Sequence, residues 1–341
     1  MSTPIVGLTG DPSCPFRASA DQVILQTSWI LRTNIIYCTF LSIFCFVGIG
    51  YCVKYMRKHP IFNESTQVLL YLSLVFAVIH DVAHICSQWV MMYRSFYYAD
   101  DPCNLFFDSN DCLPMSRTLI FGICGMIYIH SALTLDGLLA TFLPHVYYRA
   151  SYVPGVILAI LSIFFNFSLH GFVVPFGITE QDYVPSCQFF PKFLASRANT
   201  FLLSSLCVTV INLIINLVLL RVNQIHSKRT RFDVQFRYQR AEAMITSKSI
   251  SLLVIAQISA LSIYTGGTYL FRSYREQIPV SLYNNLVIWV YALSYATLTL
   301  PLLIIFCIKY VRRHRQRTIH HITTRKESQA NRMDELKAIW G

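Results

Sequence analysis

Apolar residues in this chain come in long blocks rather than at amphipathic spacing. Seven blocks can be read, over 34–53, 68–92, 119–143, 153–175, 201–220, 250–271 and 283–308. A run of about 18 or more apolar residues is long enough, at about 1.5 Å per residue, to cross about 30 Å of hydrocarbon. The pattern therefore predicts an all-α membrane protein, a bundle of seven transmembrane helices over 34–308. It leaves an N-terminal segment 1–33 and a basic tail 309–341. The second block is interrupted by His80, Asp81 and His84, and the sixth by Gly266-Gly267. Residues 1–22 hold Pro4, Pro12 and Pro15 and no apolar core segment, so the first helix is expected to serve as its own insertion signal.

Composition agrees with the pattern. Of 341 residues 54% are hydrophobic and only 13% charged, about half the share of a soluble domain, and mean hydropathy is +0.47. The length would suit two soluble domains, but long apolar blocks rule that out. A net charge of +11 raises nucleic acid as a partner, which its distribution argues against. Lys54, Arg57, Lys58, Arg149, the run 221–248 and the run from Lys309 onward fall in alternate connections. Only Arg17, Arg32, Arg94, Arg117, Lys192, Arg197, Arg272 and Arg275 fall on the other side. Lys and Arg concentrate on the cytoplasmic face of membrane proteins, so the N-terminus is expected outside and the C-terminus in the cytoplasm. The basic surplus then faces anionic lipid of the inner leaflet. One feature points the other way: Asn63-Glu64-Ser65 is a glycosylation sequon in what would be a cytoplasmic loop.

Cys14, Cys103, Cys112 and Cys187 fall on the expected outer side, where disulfides persist. A Cys112–Cys187 bridge would staple the outer loop across the bundle mouth, leaving Cys14 and Cys103 as a possible second pair. Four cysteines allow three pairings, and free thiols remain an alternative. Cys307, near the inner face, is a candidate for palmitoylation weighed against a plain apolar role.

Ionisable groups inside a bilayer cost about 2.5–3.5 kcal/mol each and persist when they face the bundle interior. His80, Asp81 and His84 can share one helix face, and His130 lies at comparable depth in the third block. Asn212 and Asn216 share a face of the fifth. Gln257 and Tyr264 belong to the sixth, and Tyr291, Ser294 and Tyr295 to the seventh. Three readings compete for this set: a polar core that holds a ligand or transmits a helix movement, a zinc site, and interhelical glue worth about 0.6 kcal/mol per contact. The zinc spacing is incomplete, so no metal and no cofactor is expected. Motifs of soluble enzymes are missing too: no phosphate-cradling glycine loop, serine elbow or zinc-protease His-Glu pair occurs.

Seven helices with a Cys before the third and another in the following outer loop look like a G-protein-coupled receptor, and three stretches narrow the resemblance. The inner end of the third block reads Leu135-Asp136-Gly137-Leu138-Leu139-Ala140-Thr141. The third inner connection reads Arg231-Phe232-Asp233-Val234-Gln235-Phe236-Arg237-Tyr238-Gln239-Arg240-Ala241-Glu242, then Ser247-Lys248. The chain ends Met333-Asp334-Glu335-Leu336-Lys337-Ala338-Ile339-Trp340. Together these resemble nematode serpentine chemoreceptors of the Sra superfamily, class alpha above classes ab and b, over essentially the whole chain. Gly137 departs from the pattern by standing where it has Arg, and the seventh helix has Leu300-Pro301-Leu302 without the common Asn-Pro.

The resemblance implies a chemosensory receptor, not an enzyme, in the plasma membrane and by extension the sensory cilium. A small molecule of odorant, tastant or pheromone class would bind in the bundle near the polar set, and a heterotrimeric G protein would meet the inner ends. Asp136, Arg149, Arg237, Arg240 and Lys248 are the expected coupling residues, with the basic ones substituting for the missing Arg. The alternatives are a seven-helix zinc-dependent intramembrane hydrolase and an ion channel or transporter.

Overall fold

The computed structural model describes residues 20–99, 101–173, 183–184, 186–188, 192–229, 244, 247–256, 258–260, 262–264, 266–267, 274, 277, 282, 289, 293–324, 333 and 337. A short helix α1 (Ala20–Thr27) precedes α2 (Trp29–Lys58), α3 (Glu64–Tyr97) and the one-turn α4 (Pro102–Leu105). Strand β1 (Phe107–Asp108) leads into α5 (Ser109–Phe142), followed by α6 (Pro144–Arg149) and α7 (Val153–Val173). Strand β2 (Tyr183–Val184) and α8 (Lys192–Arg229) come next. The chain continues with α9 (Ser247–Tyr264) and α10 (Leu293–Thr324). Seven of these helices, α2, α3, α5, α7, α8, α9 and α10, are long and apolar enough to span a membrane, as the block pattern predicts.

Local chemistry sets the helix ends. Ser28 caps α2 by accepting from the Leu31 amide, Asn63 caps α3 through the Glu64 amide, and Asp108 caps α5 through the Asn110 amide. The sequon asparagine is thus a helix cap. His59 ends α2 because Pro60 disfavours helical backbone at the residue before it. Pro144 opens α6 at a position where its missing N–H costs nothing. Between α6 and α7, Ser151 takes φ 52°, a region that favours glycine. Its hydroxyl bonds the Glu64 carboxylate.

Most helices outrun their apolar blocks: α2 starts at Trp29 rather than 34, α5 at Ser109 rather than 119, and α8 covers 38 residues. Hydropathy marks only the length inside hydrocarbon, whereas backbone hydrogen bonding carries a helix on into the headgroups.

Helix α5 packs against α3 with the two chains antiparallel. Gly122 lies against His80 and Gly125 against Phe76, so a Cβ at Gly122 would stand 2.7 Å from the His80 Cβ. Small residues let membrane helices approach this closely. Gly155 does the same for α7 against the Ser65 carbonyl. On the other side of the bundle α2 meets α10, where Gly48 faces the Pro301 ring and the Cys45 thiol donates to the Thr297 carbonyl at 3.3 Å. Leu69, Leu74, Met126, Leu133, Ile304 and Ile308 belong to the largest apolar core. Large apolar side chains such as Phe44, Phe164, Ile211 and Phe306 point outward, as they do where lipid is the solvent. Cys307 is buried, which removes it as a surface thiol for acylation.

Candidate functional site

A built cap covers one end of the bundle. Cys112 at the start of α5 is disulfide-bonded to Cys187. Beside the bond β1 pairs antiparallel with β2, Phe107 opposite Val184 and Asp108 opposite Tyr183. The Ser116 hydroxyl donates to the Cys187 carbonyl at 2.6 Å. Two arginines clamp the adjoining helix ends. Arg32 donates to the Ser95 carbonyl at 2.7 Å with its guanidinium 3.8 Å from the Phe96 ring centre. Arg94 donates to the Phe106 carbonyl at 2.5 Å and lies over the Phe107 ring. Apolar burial of Leu31, Ile35, Met91 and Val184 closes the cap. Cys14 and the side chain of Cys103 lie outside the described residues.

Below the cap, α3 turns His80, Asp81 and His84 wholly inward, each at 0% exposure. His80 Nδ1 lies 3.1 Å from Asp81 Oδ1, and the two imidazoles stack with centres 5.7 Å apart. One turn further, Gln88 Nε2 is 3.4 Å from His84 Nε2. Cys45 of α2 interacts with Asp81, which ties the set to the α2–α10 seam. His130 does not join it. Gly122 is level with His80, and His130 stands eight residues further along α5, roughly 12 Å away. Its Nδ1–H donates to the Met126 carbonyl at 2.5 Å within its own helix. Among the described residues no three His, Cys, Asp or Glu side chains gather as a metal-binding group.

Beyond His130 a row of cross-helix hydrogen bonds joins α5 to α8. Asn212 donates to the Ser131 hydroxyl at 2.8 Å, Asn216 to Thr134 at 2.7 Å and Asn223 to Thr141 at 3.0 Å. Residue numbers rise together on both helices, as they must for a parallel pair. The shared face of Asn212 and Asn216 is the sequence signal, and Asn223 adds a third bond that the sequence reading did not include. Their partners Ser131, Thr134 and Thr141 were not foreseen, because serine and threonine in a membrane helix usually bond their own preceding turn.

Asp136 lies between Thr134 and Thr141 on α5 and is 1% exposed. Its Oδ1 accepts from the Ser65 hydroxyl at 2.5 Å, and its Oδ2 accepts from Thr66 at 2.6 Å and Tyr147 at 3.0 Å. Three helices, α3, α5 and α6, thus converge on one carboxylate through neutral donors. Hydroxyls replace the cation that a buried carboxylate otherwise needs. Tyr147, outside the spans, has its phenol pushed above the usual value by burial and then by the Asp136 charge. Gly137 leaves room beside Asp136: a Cβ there would meet Leu219 of α8 at 3.5 Å.

The remaining expected residues scatter. Tyr264 packs against the apolar cluster of Ile120, Cys124 and Phe201, inside the cap-side half. Tyr295 leaves the interior: it is 40% exposed, and its hydroxyl donates to that of Tyr37 at 2.9 Å on the α2–α10 seam. One residue decides this, since Ser294 faces inward at 1% exposure. Arg149 and Lys248 are exposed. Tyr291, Gln257, Arg237 and Arg240 lie outside the described residues. Within the bundle the hydroxyls of Ser42, Ser87 and Ser294, Gln88 Oε1 and His130 Nε2 are buried with no hydrogen-bond partner among the described residues.

Seven apolar spans, a disulfide-capped end and a buried polar interior define a membrane protein of the seven-helix class. The chain belongs to the family described as serpentine type 7TM GPCR chemoreceptor Sra, which matches residues 12–340. It is 36% identical over 324 residues to serpentine receptor class alpha-10 of Caenorhabditis briggsae, covering 95% of this chain and 97% of that protein. Identity to serpentine receptor class alpha-10 of Caenorhabditis elegans is likewise 36%, over 95% of this chain and 96% of that one. To class alpha-12 of C. briggsae it is 34%, over 89% and 93%. The family is one of receptors, and seven apolar spans make this member a multi-pass membrane protein.

Proposed function

We propose that this chain is a chemosensory receptor that binds a small external molecule within the bundle and signals to a heterotrimeric G protein at its opposite end. The observation that carries the reading is α5 itself. Its first turn holds the disulfide, and its last third holds both the row to α8 and the Asp136 hub. A ligand that displaces α5 or α8 below the cap moves the same rigid element that anchors α3 and α6 at the far end. Buried unpartnered atoms such as His130 Nε2 and the Ser294 hydroxyl are groups a polar ligand or a helix shift would satisfy, each costing about 1–3 kcal/mol while unpaired.

In this reading the capped end and residues 1–33 face outward, and the Asp136 end with the tail 309–341 faces the cytoplasm of a sensory cell. Support comes from the Lys and Arg distribution and from the disulfide, which persists in oxidising compartments. Ligand affinity shifts the balance of two bundle arrangements only by its difference between them. Arg149, Arg237, Arg240 and Lys248 supply the basic surface for the G protein, with Gly137 leaving no arginine at the hub.

A screen of small volatile and water-soluble molecules against cells expressing the chain and a G-protein reporter tests the reading. Charge reversal at Arg237 and Arg240 is expected to weaken the response at matched surface level. An undiminished response overturns the assignment of coupling to those residues, and a ligand-gated current without G protein overturns the coupling reading as a whole. Epitope tags at both termini, stained before and after permeabilisation, test orientation separately.

A further inference from the structure

At the Asp136 end the last turns of α2 lie beside residues 306–313 of α10 and gather aromatic rings among cations. Tyr51, Tyr55 and His59 follow one another at four-residue spacing on α2 and its cap. Tyr51 stacks on Tyr55 with ring centres 5.9 Å apart, and His59 meets Tyr55 edge-on at 4.9 Å. Phe306 and Tyr310 stack on α10 at 6.3 Å. Across the seam Lys309 Nζ lies 5.9 Å from the Tyr55 ring centre, and Arg312 Nη1–H donates to His59 Nε2 at 3.1 Å. Lys54, Arg57, Lys58 and Arg313 lie within a turn of these residues along α2 and α10, and all of these cations are exposed. None of them pairs with a carboxylate among the described residues. Neither α2 nor α10 contains a single Asp or Glu.

Depth decides what such a cluster meets. Lys58 ends the first span and Arg313 the last, so the rings sit where hydrocarbon gives way to headgroups, the level at which tyrosine is enriched. Attraction of cations to a helix C-terminus accounts for Arg57 and Lys58 in the last turn of α2. It does not account for Lys309 and Arg312, which lie well before the end of α10 and turn onto the seam with α2.

We infer that this seam is a binding site for one anionic phospholipid. Its phosphate groups would sit among Lys58, Lys309 and Arg312, and its acyl chains would lie along Tyr51 and Phe306, exposed at 50% and 57%. The site extends the orientation reading, which would place it at the anionic inner leaflet. Binding itself is measured in micelles, where both ends are accessible, so a wrong orientation and an absent site give different results.

The test is native mass spectrometry of the purified full chain titrated with phosphatidylinositol bisphosphate, with phosphatidylcholine and soluble inositol trisphosphate as comparisons. One saturable lipid adduct is expected. The Lys309→Gln/Arg312→Gln double variant is expected to weaken it by about tenfold, at roughly 1 kcal/mol or less per lost cation. An Arg149→Gln/Arg221→Gln control, which removes two exposed cations elsewhere, is expected to leave it unchanged. Tyr51→Leu keeps every charge and should still weaken binding several-fold. Equal loss in the control pair, no loss in either seam variant, or binding of inositol trisphosphate as tight as that of the lipid overturns the site. Thermal unfolding of each variant confirms that the fold is retained.

Discussion

Asp136 near the end of α5 accepts a hydrogen bond of 2.5 Å from Ser65 in the first turn of α3, 71 positions earlier in the chain. With Thr66 and Tyr147 completing the set, the carboxylate joins three helices. The hub is neutral-donor chemistry in a buried setting, and this changes what its variants should do.

Tyr147→Phe removes one donor to a buried charge and is expected to cost about 1.5–3 kcal/mol, read as a lower unfolding temperature in detergent. It should also change the alkaline limb. The Tyr147 phenol is raised above its ordinary value by burial and the Asp136 charge. Its contribution is therefore complete below the unfolded value, about pH 10, and is lost as pH rises through the folded value. Wild-type stability should fall there more steeply than that of Tyr147→Phe; parallel curves would show that the Tyr147 phenol ionises alike in the folded and the unfolded chain.

Glycine positions on two helices make a matched pair. Gly122→Ala places a Cβ 2.7 Å from the His80 Cβ and 2.9 Å from its backbone, so α3 must give way, at a cost of about 1–3 kcal/mol. Gly50→Ala meets nothing within 4 Å and should be neutral or mildly stabilising through better helix propensity. Thermal unfolding of the two variants side by side checks this.

The α5–α8 row should show coupling. Asn216→Leu and Thr134→Val each break the 2.7 Å bond between them, and the double variant should cost less than their sum by about 0.6 kcal/mol, the usual worth of such a bond in a membrane. A double-mutant cycle of unfolding free energies measures it. Strict additivity would mean that the two residues act independently.

Cys112→Ser and Cys187→Ser should be equally harmful, and the double variant no worse than either, because one bond is lost in all three. The loop spans 75 residues, for which chain entropy gives about 4 kcal/mol. Surface staining of expressing cells should fall in each variant, and unequal losses would point to a second role for one thiol.

How much of this was legible in advance follows from the kind of information each feature needs. Seven spans could be read because each crosses hydrocarbon independently, and the apolar run carries its own length requirement. His80, Asp81 and His84 announced themselves as a buried set because a charge in a membrane must face inward. His130 was matched to them by depth alone, yet the antiparallel register of α3 and α5 sets it about two turns away. Tyr295 was assigned to the interior by helix and depth, whereas rotation of α10 turns its neighbour Ser294 inward and sends Tyr295 to the seam with Tyr37.

The sequence by itself determined the class of protein: apolar length dictated the spans, and the motifs at 135–141, 231–248 and 333–340 pointed to the receptor family. Tertiary structure decided which polar groups meet. Ser65, Thr66 and Tyr147 became donors to Asp136, Asn212, Asn216 and Asn223 found the α5 hydroxyls, and β1 came to pair with β2 beside the disulfide. Membrane insertion is set by the transfer of each segment into lipid, a sum over its own residues. Partnering between segments depends on helix rotation and register, which are settled by where Gly122, Gly125 and Gly155 allow neighbouring helices to touch.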